Sequence, residues 1–375
     1  MVSVTALRSV LYGLLSSAGL YALFIGLLTI PTLQDQVIYL NRVTLTWFQD
    51  INIPEQWGFL QNQATPFFLT TPDGESLHAW HILPLELYRR NQDALSAEPS
   101  GLASNIKERL GFKLLRDDPS SLLVLYFTAL GERWDQAGGH QAIGPCRSGH
   151  PSEQGLLTDA ITLAEWAMKE AGIPPSRIVI FAQSLGTAVS LSLIHHMATL
   201  PEPVLFSGAV LVAPFSDVES LTATYRIAGT IPLLDPIAKF PRLLAWLNTL
   251  ILAKWPSKTK LADFIRRCED MDREPHMYDI TIIHAEDDYD IPWSHSEQLF
   301  WHAVNASIPN GITFADLEKE KIDSRVNNDA GGRSVERRTN RGVIREEIMK
   351  YGLHDRIMSY PVVSLAVMRA FGTLF

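Results

Sequence analysis

A single serine, Ser184, stands where an apolar segment ends and a run of small residues begins. The segment Ile178–Ala182 is continuously apolar, and the pentapeptide AQSLG (182–186) places small side chains two positions before and after the serine. A strand, a tight turn at a serine and a helix lift a nucleophilic hydroxyl above the edge of a sheet. The pattern therefore predicts that Ser184 is a nucleophile for acyl transfer, and a purely structural small-residue turn is the alternative.

A serine of this kind needs a general base, and this arrangement fixes the chain order as nucleophile, acid, histidine. The acid is expected among Asp287, Asp288 and Asp290, and three histidines follow these aspartates: His295, His302 and His354. The first is too close in sequence to those acids to turn back onto them, and the second lies in a segment of helical pattern. His354 follows an apolar-spaced segment, VIREEIMKYG, that we predict to be the last strand. We expect His354 to take the Ser184 proton.

The acid is expected in the segment IIHAEDDYDIP (282–292), which ends another apolar run. It offers Asp287, Asp288 and Asp290. We choose Asp288, because a short loop closing at Pro292 can turn its carboxylate back toward the end of the sheet, where it would hold the His354 imidazole in the right tautomer. An acidic surface loop without a catalytic role is the alternative.

Attack on an acyl carbonyl also needs donors for the oxygen that becomes negative. The backbone N–H of Leu185, at the start of the predicted helix, is suitably placed, because a helix N-terminus favours negative charge. A second donor usually follows an earlier strand. Thr128 holds that position here, and its backbone N–H is a weak candidate. The two cysteines form no metal-type pair, and we expect neither a metal nor a cofactor.

Four apolar runs alternate with helical patterns and must position these residues; they occupy 120–127, 178–182, 208–214 and 279–285. Continuous apolar strands are typical of parallel sheets covered on both faces. We therefore predict an α/β fold with a mostly parallel sheet and helices on both faces.

Two further segments interrupt this alternation. Residues from about 217 to 275 are helical and punctuated by proline, and their part IPLLDPIAKFPRLLAWLNTLILAKW (231–255) is apolar enough for a cap that admits an acyl chain. Ordinary core helices would give the same pattern. Residues from about 315 to 341 are almost purely polar, and we predict a solvated insertion there.

The N-terminal segment Ser9–Ile30 carries no charge over 22 residues. As a helix it would reach roughly 33 Å, enough to cross the apolar core of a bilayer. A cleaved signal peptide would have a shorter apolar region and a small-residue cleavage site. We predict one retained transmembrane helix, and the bias between Arg8 and Asp35 favours a catalytic body in the lumen of the endoplasmic reticulum. The sequon Asn305-Ala306-Ser307 agrees with that side.

With a net charge of −9, the chain lacks the excess of basic residues that is typical of nucleic-acid-binding proteins, and we expect no nucleic-acid partner. Charged residues make up 19% of the chain, which is low for a fully soluble protein. The expected partners are an acyl-ester or lipid substrate and a membrane.

Three motifs, IVIFAQSLGTAV, IIHAEDDYDIP and GLHDRIMSYP, resemble the membrane-anchored α/β-hydrolase-domain family of serine hydrolases. Members of that family in animals and fungi include lipases that cleave monoacylglycerol and lysophosphatidylserine. The likeness covers most of Pro54–Phe375 and implies an α/β-hydrolase fold, with Ser184, Asp288 and His354 at the nucleophile, acid and base positions. Ala182 stands where the family usually has glycine.

The segment after Phe127 departs from the family pattern. The family has a HGNAG-like turn, a helix and a further strand, whereas this chain reads YFTALGERWDQAGGHQAIGPCRSGH, with Thr128 and Ala129 in place of His-Gly. About two dozen residues are too few for a helix and a returning strand, since a βαβ unit takes roughly 30 or more. The region looks truncated, so we expect an incomplete oxyanion hole and a missing strand that leaves sheet edges unpaired.

Together these patterns predict an anchor at 1–34, a neck at 35–63 and an α/β-hydrolase domain at 64–375. The predicted activity is cleavage of lipid acyl esters, of the monoacylglycerol or lysophospholipid type, through an acyl-enzyme. Two alternatives stay open. The chain could be a catalytically impaired pseudoenzyme or a truncated product, or it could be a serine peptidase or thioesterase, because a triad fixes the reaction type and not the acyl donor.

Overall fold

The strands of the protein are short, and most of those in the middle of the main sheet are apolar. The computed structural model describes residues 4–39, 49–128, 141–142, 151–227, 230–232, 234–271, 278–327 and 331–372. Its strands are β1 (Ala64–Thr70), β2 (Ser76–Ile82), β3 (Leu123–Phe127), β4 (Gln141–Ala142), β5 (Ile178–Gln183), β6 (Gly208–Val212), β7 (Arg226–Ile227), β8 (Ile231–Pro232), β9 (Tyr278–Ala285), β10 (Val326–Asn327), β11 (Gly332–Arg338) and β12 (Gly342–Met349).

Helices and single turns fill most of the intervals between these strands. The α-helices are α1 (Val4–Leu27), α2 (Pro31–Tyr39), α3 (Leu85–Arg90), α4 (Gln92–Ser96), α5 (Leu110–Asp117), α6 (Glu153–Lys169), α7 (Leu185–Thr199), α8 (Val218–Thr224), α9 (Asp235–Ala238), α10 (Pro241–Leu250), α11 (Ser257–Asp270), α12 (Ser294–Ser307), α13 (Phe314–Ser324), α14 (Leu353–Arg356) and α15 (Pro361–Ala370). Short 3₁₀ turns lie at Pro54–Trp57, Ile106–Glu108, Pro175–Arg177 and Ile357–Ser359.

The main sheet of the described residues has the strand order β10-β11-β12-β9-β6-β5-β3-β4. Neighbouring strands from β12 to β4 are parallel, and β10, β11 and β12 pair antiparallel. Strands β5 and β6 are buried along their whole length, as their continuous apolar sequences predict. The main core holds the buried faces of α6, α7, α11 and α12, and a second buried cluster joins α15 to the sheet. The prediction of an α/β fold with a mostly parallel sheet and helices is confirmed.

Strand β4 corrects one expectation. We expected the strand beside β3 to be missing, but Gln141 and Ala142 pair in parallel with Leu125 and Tyr126. The hairpin formed by β1 and β2 is a separate two-stranded sheet, and β2 lies beside β4. Strand β4 pairs with two of the five residues of β3. The rest of the departing segment, 129–140 and 143–150, lies outside the described residues.

The predicted cap range of about 217–275 contains two kinds of helix. Helix α10 packs against α1 through a small cluster that includes Ile25 and Leu247. Helix α11 instead buries Leu261 and Phe264 in the main core, where it lies against α7 and α12. The last third of the range is therefore ordinary core helix, which the apolar pattern alone does not separate from a cap.

Most described side chains in the polar range of about 315–341 are at least partly exposed, as expected of a solvated segment, but the range is also built into the fold. It holds most of α13 and all of β10 and β11, so that it supplies the antiparallel edge of the sheet. The Lys321 side chain is buried, with its Nζ 2.7 Å from Glu346 and 2.9 Å from Glu318, and it lies over the Phe300 ring. Burial of a charge is tolerated when the charge is paired, which is why a polar sequence is built into the fold here.

At the N-terminus, no single helix of the described residues is long and apolar enough to cross a membrane. The pair Leu11–Leu27 and Pro31–Tyr39 meets the length and composition criteria together, with a bend of 92° between the two parts. Helix α2 is tied to the rest of the protein by Gln34, whose side chain donates to the Leu250 carbonyl and accepts from the Leu252 N–H.

Candidate active site

Ser184 lies at a sharp turn between β5 and α7. Its backbone angles, φ 52° and ψ −126°, fall in a region that residues with a side chain rarely adopt. Its N–H donates to the Val212 carbonyl at 3.0 Å, which holds the turn to the neighbouring strand β6. Although Ser184 is the N-cap residue of α7, its side chain does not cap the helix, so the hydroxyl is available for other contacts.

Close packing beneath this turn explains the small residue at position 186. A Cβ atom at Gly186 would lie 2.2 Å from the Phe127 carbonyl oxygen and 2.8 Å from the Thr128 nitrogen. The end of β3 therefore passes directly beside the N-terminal turn of α7. This is the steric requirement that the spacing of small residues around the serine indicates.

The structure brings Ser184, His354 and Asp288 together from three distant parts of the chain. The Ser184 Oγ lies 3.0 Å from His354 Nε2, and His354 Nδ1 lies 2.7 Å from Asp288 Oδ2. Because a carboxylate accepts hydrogen bonds, Nδ1 carries the proton and Nε2 is left to accept from the serine hydroxyl. This is the geometry that a nucleophile, a general base and an orienting acid require.

Asp288 is buried and fully engaged. Its Oδ1 accepts from the backbone N–H groups of Asp290 (3.0 Å) and Ile291 (2.9 Å), and its Oδ2 accepts from two imidazoles, those of His354 and His284. Burial alone would raise the pKa of Asp288, but the two histidines and their hydrogen bonds outweigh it and hold the pKa well below its usual range. Asp288 is therefore ionised whenever His354 can act as a base.

The aspartate next to it has a different position in the structure. Asp287 Oδ1 accepts the backbone N–H of Leu353 at 2.8 Å. Leu353 has φ 48°, a left-handed conformation that side chains disfavour, and it directly precedes His354. Asp287 thus holds the backbone of the histidine loop, whereas Asp288 contacts the imidazole.

Gln183, the residue before the serine, ties the histidine loop to the elbow. Its side-chain amide donates to the His354 carbonyl oxygen at 3.0 Å. Gln183 therefore fixes the backbone of His354, and Ser184, the next residue, contacts its ring. The spacing of small residues around the serine says nothing about position 183, so the sequence did not single out this glutamine.

His284 is the residue at this site that the sequence did not reveal. It lies on β9 with a fully buried side chain, and its Nε2 is 3.1 Å from Asp288 Oδ2 and 2.9 Å from the Ile291 carbonyl. Since both neighbours are acceptors, Nε2 carries a proton. The Ser296 hydroxyl contacts the opposite nitrogen, Nδ1, at 2.7 Å. His284 is thus a second imidazole donor to the same carboxylate oxygen that contacts His354.

The two histidines set aside on sequence grounds lie away from the serine contact. His295 is buried on α12 and contacts the hydroxyls of Ser216 and Thr224 at 3.0 and 2.9 Å. Burial lowers its pKa to about 4. His302, on the same helix, packs against the Trp301 ring. Neither histidine is within reach of Ser184 among the hydrogen bonds of the described residues.

Leu185 begins α7, and the first N–H groups of a helix have no carbonyl partner within it. Among the hydrogen bonds of the described residues its N–H has no partner, and its role as an oxyanion donor stays a prediction. Thr128 lies beside Gly186, which brings its backbone close to the same turn. The loop that follows Thr128 lies outside the described residues, so the second donor stays a prediction. Within the described parts of the chain, no group of His, Cys, Asp and Glu side chains is arranged to hold a metal ion.

The sequence is similar to proteins named lysophosphatidylserine lipase ABHD12. The one from Danio rerio is 25% identical over 316 residues, which cover 81% of this chain and 75% of that protein. The one from Xenopus tropicalis is 26% identical over 215 residues, which cover 53% of this chain. The second match spans only 51% of the relative's length, about half of it. No family model matches the chain.

Among solved structures, the fold is similar to that of an alpha-beta hydrolase from Vibrio vulnificus, with a TM-score of 0.50 and 14% sequence identity. That match covers 92% of this chain and 93% of the other, so it extends over the whole architecture. At this identity the likeness shows the fold alone. The strand order, the serine turn and the sequence relatives agree with one another: the chain has an α/β-hydrolase fold and is similar to ABHD12 lipases, and these findings support a serine ester hydrolase of the lipase type.

Proposed function

We propose that this protein is a membrane-anchored hydrolase that cleaves acyl esters of lipids with Ser184 as nucleophile, His354 as general base and Asp288 as the orienting acid. The observation that carries the proposal is the chain of contacts from the Ser184 hydroxyl to His354 Nε2 (3.0 Å) and from His354 Nδ1 to Asp288 (2.7 Å). Each contact lies within hydrogen-bonding distance.

The reaction runs through an acyl-enzyme. His354 Nε2 removes the Ser184 proton as Oγ attacks the ester carbonyl, and the carbonyl oxygen becomes an oxyanion that accepts from the Leu185 N–H and, in this proposal, from the Thr128 backbone N–H. The tetrahedral intermediate collapses when His354 protonates the departing alcohol. Water, deprotonated by the same nitrogen, then attacks the acyl-enzyme and releases the fatty acid and the free serine.

The substrate class rests on the relatives. Both relatives described above are named lysophosphatidylserine lipases, and we propose a monoacylglycerol or lysophospholipid ester for this chain. The cap range supports an acyl-chain substrate, because its backbone meets the acid loop: the Arg226 N–H donates to the Asp290 carbonyl at 3.3 Å. The cap range therefore meets the loop that carries the proposed orienting acid.

We propose that the N-terminal segment Ser9–Ile30 is a retained membrane anchor and that the catalytic domain faces the lumen of the endoplasmic reticulum. The uncharged length of the segment and the apolar side chains that α1 exposes support an anchor. Asn305, the sequon residue, lies in the last turn of α12, and its amide oxygen accepts the Ile312 N–H. It therefore belongs to a folded helix end, and a protease-protection assay on sealed microsomes is the better measure of the side.

The test is covalent labelling with a fluorophosphonate probe. Ser184→Ala should abolish labelling, while Ser324→Ala, a change at an exposed serine on α13, should leave it unchanged. Labelling that survives Ser184→Ala would overturn the assignment of the nucleophile.

Turnover of lysophosphatidylserine, a monoacylglycerol, a thioester and a peptide then separates the remaining alternatives. A protein that labels but turns over none of them is the impaired enzyme that the residues Thr128 and Ala129 suggest, since loss of one oxyanion donor costs about 10²–10³ in turnover. Preferential cleavage of the peptide or the thioester would replace the lipid assignment.

A further inference from the structure

The helix α10 and the residues around it expose an apolar surface that the catalytic site does not use. Phe240, Leu243 and Trp246 are 63%, 43% and 54% exposed. The spacing of three residues places them on one side of the helix. Large exposed apolar patches on a folded protein mark a surface that is covered by a partner or a membrane.

The same helix is attached to α1. Leu244 and Leu247, on the neighbouring side of α10, form a cluster with Ile25, and Tyr21, Phe24 and Leu28 pack against it. The exposed and the packed apolar residues of α10 therefore form one continuous stripe. Half of that stripe contacts the last turns of α1, and the other half is exposed in the described part of the structure.

Further apolar side chains extend the patch. Leu252 is exposed just after α10, where the chain is bonded to Gln34 of α2, and that helix exposes Leu33 and Val37. Along α1 itself the exposed apolar side chains continue toward the N-terminus: Leu11, Tyr12, Leu14, Leu15, Leu20 and Leu23. Helix α10 thus continues the apolar surface of the proposed anchor.

This placement sets the depth of α10. Tyr21 and Leu28 lie about 3–14 Å, measured along a helix, from Ile30, where the uncharged segment ends. If the anchor crosses a bilayer, the residues that contact these positions lie within its outer apolar layer. The charged residues between Lys239 and Leu250 are Lys239 and Arg242, both basic in a chain of net charge −9. A local basic pair beside an aromatic apolar stripe is typical of helices that lie in an anionic membrane surface.

We propose that α10 lies in the surface of a lipid bilayer, with Phe240, Leu243 and Trp246 among the acyl chains, so that the cap and the last turns of α1 form one membrane-contacting surface. The proposal rests on the membrane anchor of the proposed function. It implies that the cap meets the lipid layer from which an acyl-chain substrate would come.

Spin-label accessibility in the full-length chain tests this surface. Single cysteines replace Leu243 or Trp246, and two reference sites are Leu15 on α1 and Ile322, an exposed apolar residue of α13. The background carries Cys146→Ser; Cys268 can stay, because burial raises the pKa of its thiol to about 12 and keeps it unreactive. Each protein is reconstituted in vesicles that contain an anionic phospholipid, and its melting temperature confirms that it is folded.

Labels at 243, 246 and 15 should collide several-fold more often with oxygen, which partitions into lipid, than with a water-soluble nickel chelate, and the label at 322 should show the reverse. Labels at 243 and 246 in water with the label at 15 in lipid would overturn the docking of α10 and leave the anchor standing. Labels at 243 and 246 in lipid with the label at 15 in water would support the docking of α10 and overturn the assignment of the anchor. Dipolar broadening between labels at 243 would show a second copy of the chain on this surface and would overturn the membrane as its occupant.

Discussion

His284 offers the sharpest test of how the site is tuned, because its imidazole shares Asp288 Oδ2 with His354. We consider the change His284→Leu, which removes the donor and keeps a similar apolar volume on β9. The matched control is His284→Gln, since a glutamine amide nitrogen can take the place of Nε2 and donate to the same oxygen.

The magnitude follows from the hydrogen bonds to the carboxylate. Asp288 accepts four, two from backbone N–H groups and two from imidazoles, and a hydrogen bond to a charged group contributes about 1.5–3 kcal/mol. Loss of one leaves more negative charge on Oδ2, which stabilises the protonated form of His354 and raises its pKa. Since 1.36 kcal/mol corresponds to one pKa unit, the rise is at most about 1–2 units. Asp288 itself stays ionised near neutral pH, because its pKa starts well below the usual range.

The assay is the pH dependence of kcat/KM on a water-soluble ester, whose acid limb reports the general base of the free enzyme. Besides Asp288 and His284, the charged or titratable groups of the described residues near the acid and histidine loops include Asp287, Asp290, Asp355, Tyr225 and His295, and both variants leave them in place. We expect the acid limb to move to higher pH in His284→Leu, with little change at alkaline pH, and to stay near its original position in His284→Gln. An unmoved limb in His284→Leu, or an equal loss at every pH, would refute a tuning role and leave His284 as a core residue.

Two further predictions follow from neighbouring carboxylates and from a buried imidazole. Asp288→Asn should lower kcat by about 10⁴, because His354 would then adopt the wrong tautomer. Asp287→Asn should lower kcat less than about tenfold, because the asparagine amide oxygen can still accept the Leu353 N–H. Steady-state kinetics of both variants tests this, and a comparable loss in Asp287→Asn would assign the acid to that residue. Burial lowers the pKa of His81 to about 4, so the unfolded chain binds the proton more readily and stability falls as the pH drops from about 6.5 toward 4. Between pH 7 and 5 this costs about 2 kcal/mol. Urea unfolding should therefore show a smaller loss of stability in His81→Leu than in the native chain, by about 2 kcal/mol, since His295, whose pKa burial also lowers to about 4, contributes equally in both. An equal loss in both would contradict the prediction.

The site residues were predictable where chemistry fixes chain order and spacing. The turn at Ser184 requires a strand before it and small residues around it, and both features can be recognised in the sequence. Asp288 and His354 follow because this fold places them after later strands. The structure brings all three side chains together, and their catalytic roles stay a proposal until the variants are measured.

The parts that sequence reasoning missed are those that depend on contacts between distant segments. His284 precedes the acid within the apolar run ITIIHA and reads as a core residue, so its contact with Asp288 appears only when the loop folds back. Strand β4 consists of Gln141 and Ala142, a pair too short to produce any periodicity. The polar range of about 315–341 looked solvated, because a pattern of charges does not reveal which charges pair.

Because of Lys321, the polar range of about 315–341 cannot be removed from the protein without a cost to the fold. Its ammonium group is the cation beside Glu346, a buried carboxylate of β12, and burial raises the pKa of that carboxylate. Strand β12 lies third from the open side of the sheet, behind β10 and β11, and leads directly into the loop of His354. A chain without residues 314–341 would lose both the Lys321 charge and the edge strands β10 and β11. A segment that seems dispensable by composition therefore supports the strand that leads to His354, the histidine that contacts Ser184.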